Sequence, residues 1–393
     1  MPALQVLYAD NLKEIKEEIR KIKPDASSIS IMAPKGVFRL IKITDVSTKA
    51  ANIIKQEMLS KGGEAAVSRS VLDFSSEKTD ILLMGNLKQY ERLLYKLKIQ
   101  PFGLKEIADE IEKLLNNLEG EKTQVLKLGK HTLPLGEKTY IMGILNITPD
   151  SFSDGGKYNN REKAIQRAVE MVKQGADIID VGAESSRPGS TPISLEEELN
   201  RLVPVLEPLI KTVDVPISVD TYKSETAERA LQMGAHIIND IWGLKADPKM
   251  GQVISKYNGA VILMHNKDDF YYKDLMGDII SSLKESIEKA ERAGINHGNI
   301  IIDPGIGFGK TTEQNLEVMR NLRQLKGLGK PILLGTSRKS MIGNTLDLPV
   351  DERLEGTAAT VALGISQGID IVRVHDVREM ARVVRMTDAI VRP

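Results

Sequence analysis

The sequence predicts an α/β protein, a (β/α)8 TIM barrel preceded by a smaller α/β N-terminal domain. Three observations predict it: eight short apolar runs in the last two thirds of the chain, a helical pattern after each run, and a charged or amide side chain near almost every run's end. Strands that alternate with helices pair in parallel through crossover helices. Eight such units in roughly 250 residues suit closure into a barrel better than an open, doubly wound sheet.

The bulk numbers bound the rest. A chain of 393 residues has room for two domains. Apolar residues at 41% and charged residues at 27% belong to a soluble globular protein. Lys and Arg total 54, as do Asp and Glu, and no long block of one sign occurs. Nothing therefore points to nucleic acid or to an anionic membrane surface. The absence of cysteine excludes a disulfide framework, a thiolate metal site and a cysteine nucleophile. The start of the chain lacks the basic and apolar blocks of a signal peptide. No apolar run approaches the ~20 residues that a membrane helix needs. The cytoplasm is the expected location.

Residues 1–119 are expected to form the N-terminal α/β domain. Asn11 to Ile22 reads as a charged amphipathic helix. Ser28 to Met32 and Asp80 to Met84 read as strands. Leu104, Ile107, Ile111, Leu114, Leu115 and Leu118 recur at helical spacing, and Glu119-Gly120 ends that helix. No catalytic pattern occurs in this region. Residues 120–137 are expected as a linker containing a hairpin, two short strands around Gly129-Lys130. Residues 138–393 carry the barrel. Its strands are expected at Tyr140–Leu145, Asp177–Val181, Pro216–Val219, His236–Asn239, Ala260–Met264, Ile300–Ile302, Pro331–Leu334 and Asp370–Val374.

Active sites of this fold lie at the carboxyl ends of the strands. There the sequence sets Asn146 and the loop Asp150–Asp154 after the first run, and Ser186, Arg187 and Pro188 after the second. Asp220, Asn239-Asp240, Met264-His265 and Asp303 end the next four runs. Arg338, Lys339 and Ser340 follow the seventh, and Arg373 and His375 end the eighth. Cations thus gather after strands seven and eight, where barrels often bind phosphate, and carboxylates or amides gather elsewhere. The arrangement suits a ligand with a phosphate at one end and hydrogen-bond donors at the other. An amino-pyrimidinone edge, such as a pterin's, offers adjacent N–H groups that match a carboxylate at two points. Asp303 and Asn239 suit that edge, Asp220 another ring nitrogen, and Phe308 and Met264 the ring faces. Asn146 is a neutral oxygen ligand suited to Mg²⁺ already bound to a diphosphate.

Eight ordered motifs carry a resemblance. MGILNITPDSFSDGG (Met142 to Gly156), ESSRPG from Glu184, SVDT from Ser218, NDI from Asn239, LMH from Leu263, DPGIGFGK from Asp303, GTSRKS from Gly335 and RVHD from Arg373 resemble those of the dihydropteroate synthases. The match spans about residues 138 to 393. It implies condensation of 6-hydroxymethyl-7,8-dihydropterin pyrophosphate with p-aminobenzoate, Mg²⁺ as cofactor and a homodimer. It also implies roles. Asp220, Asn239, Asp303 and Lys339 would hold the pterin, with Met264 and Phe308 beside it. Asn146, Arg373 and His375 would hold the pyrophosphate, with Mg²⁺ at Asn146. Phe152, Ser186, Arg187, Pro188 and Ser340 would frame p-aminobenzoate. Asp154 would steady a cationic methylene, which with Lys339 and Arg373 makes the catalytic set. The departure is Ser186, where the family commonly has threonine. Residues 1–120 have no counterpart in the family's shorter members.

Blander readings apply to other residues. His265 and Trp242 are expected to pack, and Glu196-Glu197-Glu198 to form a solvated face at a helix start. Gly305 to Thr311 ends like a nucleotide-binding P-loop, but Pro304 stands where that pattern needs glycine. A methyltransferase on the same barrel would share the Asp220, Asn239 and Asp303 positions and lack the SRKS and RVHD anion site. A non-enzymatic pterin-binding protein would have no use for that anion site.

Overall fold

The computed structural model describes residues 2–73, 75–120, 124–148, 157–185 and 190–392. The chain divides into two compact units, Met1–Glu121 and Lys122–Pro393.

In the first unit, strands β1 (Phe38–Ser47), β2 (Glu64–Val67) and β3 (Lys78–Asn86) make an antiparallel sheet in the order β1-β3-β2. Helices Thr48–Ser60, Leu87–Leu97 and Leu104–Glu119 supply the rest of its core, around Ile54, Met58, Leu83, Tyr90, Leu93 and Leu104. The helices expected from Asn11 and Leu104 form at Leu12–Lys21 and Leu104–Glu119, and the strand expected at Asp80–Met84 lies within β3. The strand expected at Ser28–Met32 is instead part of a helix, Ala26–Gly36. Its Ser-Ile alternation lasts only five residues. Asp25 overrides it by accepting the Ser27 N–H at 2.9 Å and capping a helix start. The strand that the alternation suggested comes later, as β1.

The second unit opens with a hairpin, β4 (Val125–Leu128) and β5 (His131–Pro134), turning at Gly129 with φ 62°. The barrel strands follow: β6 (Tyr140–Asn146), β7 (Ile178–Gly182), β8 (Ile217–Asp220), β9 (Ile237–Asp240), β10 (Ala260–Met264), β11 (Ile300–Asp303), β12 (Leu333–Leu334) and β13 (Ile371–Val374). All are parallel, in the order β11-β10-β9-β8-β7-β6-β13-β12. A bridge between Ile302 and Ile332 joins the two ends and closes the barrel. Nearly every strand residue is buried, because helices cover the outside and side chains fill the inside.

Leu126, Leu128 and Leu135 of the hairpin pack with Tyr140, Met142, Ile178, Ile237, Ile262, Ile301, Leu333 and Ile371 at the amino-terminal mouth of the barrel. The Tyr140 hydroxyl donates to the Pro134 carbonyl at 2.8 Å and ties the hairpin to the first barrel strand. That mouth is closed by apolar packing, and the polar groups lie at the other one.

Candidate active site

Alternation along the strands turns Asn146, Asp180, Gly182, Asp220, Asn239, Met264, Asp303 and Arg373 inward near the carboxyl ends. Asn146 is in register with Gly182, Gly182 with Asp220, and Asp220 with Asn239, so one layer of the barrel carries all four. Met264 is in register with Asp303 across the next pair. Asp220, Asn239, Met264 and Asp303 are each buried, at 4% to 7% exposure. Buried polar groups in such numbers are costly unless paired.

Arg373 ties two of the barrel's carboxylates together. Its Nε donates to Asp180 Oδ2 at 2.6 Å and its Nη2 to Asp220 Oδ2 at 2.8 Å. Asn239 Nδ2 donates to the same Asp180 oxygen at 3.3 Å. Burial pushes Asp220 up to about 7, against the pull of Arg373. Burial also raises Asp303, with Lys339 pulling the other way. The expected pterin residues are therefore brought together in one cup, with Arg373 reaching across it.

The loop after β11 depends on glycine. Gly305 has φ 67°, and a side chain there would run into the His265 carbonyl. Its N–H donates to Asp303 Oδ1 at 2.7 Å. Lys310 then folds inward: its buried Nζ donates to the carbonyls of Gly305 and Phe308, both at 3.0 Å, and lies 2.9 Å from His265 Nδ1. Burial, assisted by Lys310, pushes His265 down to about 3, and burial pulls Lys310 to about 7. Both residues pin the loop, as packing was expected to explain His265, and the lysine is no phosphate-binding P-loop residue. Phe308, held at the loop's tip, is half-buried and lies 4.5 Å from Lys339 Nζ, measured to the ring centroid.

Lys339 donates to the Ile306 carbonyl, and burial lowers it to about 8. Arg338 turns the opposite way. It has φ 59°, and its Nε donates to Asp376 at 3.0 Å. This corrects the expected cation cluster: Lys339, Arg373 and His375 remain near the mouth, and Arg338 is committed to Asp376. His375 Nδ1 lies 3.0 Å from Ser337 Oγ. Ser340 opens the helix Ser340–Leu346 and is exposed.

Several functional neighbours were not singled out in the sequence. Asp180 lies in the middle of an apolar run, Ile178-Ile179-Asp180-Val181, and that break was its signal. Lys223 bridges Glu184 at 2.5 Å and Glu198 at 2.8 Å, and the Tyr222 hydroxyl donates to Glu184 at 2.8 Å. Glu198 is 1% exposed, which corrects the solvated face expected for it. It sits within the first turn of helix Leu195–Thr212, on the side that Lys223 reaches from the loop after β8. Asp240 accepts the N–H groups of Trp242 and Leu244 at 2.9 and 2.7 Å and holds a turn; Trp242 is half-buried. Asp150, Phe152, Asp154, Ser186, Arg187 and Pro188 lie outside the described residues.

No group of three or more His, Cys, Asp or Glu suited to a metal ion occurs among the described residues. Asn146 offers one neutral oxygen. Its Oδ1 lies 3.5 Å from where a Cβ on Gly182 would stand, so the glycine leaves room beside it. That donor set fits a hard dication that arrives with its own diphosphate and water ligands.

The model of the pterin binding enzyme family matches residues 142–375. The dihydropteroate synthase of Clostridium beijerinckii is 57% identical over 268 residues, 68% of this chain and 100% of that protein. A probable bifunctional folylpolyglutamate synthase/dihydropteroate synthase of Halobacterium salinarum is 40% identical over 388 residues, 97% of this chain and 46% of that protein. The crystal structure of a Clostridium difficile dihydropteroate synthase, solved in the presence of pteroic acid, superposes with a TM-score of 0.65 at 55% identity, covering 66% of this chain and 100% of that one.

Proposed function

The chain belongs to the pterin binding enzyme family and is a transferase that condenses 6-hydroxymethyl-7,8-dihydropterin pyrophosphate with p-aminobenzoate, and from that premise we propose how its residues share the work. The carrying observation is the cup of Asp220, Asn239 and Asp303 at the carboxyl ends of β8, β9 and β11, with Lys339 and Arg373 beside them. Asp303 and Asn239 take the amino-pyrimidinone edge, and Asp220 takes another ring nitrogen. Met264 and Phe308 cover the ring, with Lys339 against Asp303. Arg373, His375 and Asn146 face the diphosphate.

The arylamine nitrogen uses its lone pair to form a bond to the exocyclic CH₂. The C–O bond to pyrophosphate breaks, its electron pair leaves with the pyrophosphate, and the amine gives up one proton. The weakly basic aniline needs no strong general base. Arg373 and His375 stabilise the departing charge where it develops. Asn146 would hold Mg²⁺, which would supply positive charge against the same leaving group. Asp154 is assigned to the cationic methylene, and Phe152, Ser186, Arg187, Pro188 and Ser340 to p-aminobenzoate, on the strength of the resemblance. Residues 138–393 make the catalytic domain, 120–137 the hairpin and linker, and 1–119 a separate N-terminal domain. A cytoplasmic homodimer belongs to the same reading, and sedimentation at micromolar concentration checks its stoichiometry. No helix among the described residues is long and apolar enough to cross a membrane.

The test is pyrophosphate release in the presence of each substrate alone and of both. Release that needs both supports the condensation; a methyl-transferring or purely pterin-binding barrel releases none.

The acid–base groups give this reading a pH signature. Asp220 must be ionised to accept from the pterin, and burial sets it at about 7. Lys339 must stay protonated to support Asp303, and burial sets it at about 8. Pterin kcat/KM is therefore expected to rise with pH through about 7 and to fall through about 8, a narrow bell. The Lys339→Arg variant keeps its charge and is expected to lose the alkaline limb. An alkaline limb unchanged in that variant removes Lys339 from the assignment.

A further inference from the structure

We propose that Asp180 is a positioning residue for the condensation, a buried anion onto which the Arg373 guanidinium closes with two parallel hydrogen bonds when the pterin takes Asp220 away from it. The Nε and Nη2 donors lie on one edge of the planar guanidinium and match the two oxygens of a single carboxylate. In this structure that edge is split. Nε is on Asp180 Oδ2 and Nη2 is on Asp220 Oδ2. Asp180 is fully buried, and its Oδ1 has no hydrogen-bond partner among the described residues. A buried carboxylate oxygen without a donor is costly, so Oδ1 is a ready acceptor for Nη2.

The exchange solves a specific difficulty. Asp220 cannot serve both Arg373 and the ring N–H groups of a pterin with the same oxygen. Were Asp220 the only anion near Arg373, each binding event would strip a largely buried guanidinium of its partner. Asp180 removes that penalty, because Nη2 moves from one carboxylate to the other and both of its edge donors stay bonded. The other side of the guanidinium, Nη1, is then free to face the diphosphate.

The inference rests on the assignment of Asp220 to the pterin, and the experiment separates the two. Binding of 6-hydroxymethylpterin, which lacks the diphosphate, is measured by calorimetry on the full chain. The species are wild type, Asp180→Asn, Arg373→Gln, the double variant and Asp220→Asn. Asp180→Asn is expected to raise Kd by roughly tenfold, since the amide offers one acceptor oxygen instead of two and Nη2 stays on Asp220. With Arg373→Gln in place no guanidinium holds Asp220, and the same Asp180 substitution is expected to change Kd by no more than about twofold. KM for p-aminobenzoate should stay unchanged in Asp180→Asn. An equal loss in both backgrounds means that Asp180 merely shapes the pocket, and overturns the proposal. Wild-type affinity in Asp220→Asn overturns the pterin assignment instead. Should a variant not fold, a crystal structure of the wild-type chain with the pterin decides. Nε and Nη2 both on Asp180 is the expected result, and Nη2 still on Asp220 overturns it.

Discussion

The Lys223→Met variant is expected to be about 3–5 kcal/mol less stable than the parent chain in chemical denaturation. Lys223 is the cation shared by Glu184 and Glu198, and Glu198 is almost wholly buried. Burial works against the lysine's charge, yet the two carboxylates outweigh it and hold Lys223 above the ordinary lysine range. Methionine fills a similar volume without a charge. The variant therefore strands two carboxylates in place rather than opening a cavity. Tyr222 can still donate to Glu184, so Glu198 bears most of the loss. Adding Glu198→Gln should recover a large part of it. A loss below about 1 kcal/mol would mean that this cluster behaves as an exposed ion pair, and would falsify its burial.

Asp303→Asn is expected to weaken pterin binding by ~1–3 kcal/mol, up to about a hundredfold in Kd. The substitution keeps the shape of the side chain. The amide oxygen can still accept the Gly305 N–H, so the loop that carries Phe308 should survive. What changes is the second oxygen, which becomes an N–H₂ donor facing the donors of the pterin edge. Lys339 also loses the anion that most favours its charge. Calorimetry should show the affinity loss with an unfolding midpoint close to that of the parent. Unchanged affinity would remove Asp303 from the pterin site.

The barrel was legible because parallel strands are covered on both faces and read as unbroken apolar runs. Each of the eight expected runs overlaps its strand, from Tyr140–Asn146 to Ile371–Val374. The same reasoning concealed Asp180. A carboxylate counted as a blemish in an apolar run is, in space, the partner of an arginine 193 positions later. Long-range pairing of that kind leaves no trace in local periodicity. Glu198 was misread for a related reason: acidic residues favour the first turn of a helix whether exposed or buried. Only the loop carrying Lys223 decides which. Arg338 and Lys339 are adjacent in sequence and were expected in one cluster, but the left-handed backbone at Arg338 sends their side chains in opposite directions. In the N-terminal unit, Ser28–Met32 failed as a strand because a capped helix outcompeted a short alternation.

The apolar packing inside and beneath the barrel has a kinetic consequence. With one end of the cylinder stoppered, molecules come and go by a single doorway. Whatever lodges deepest has to arrive first and depart last. On the proposed assignment of Asp220 and Asp303, the bicyclic partner enters ahead of the arylamine.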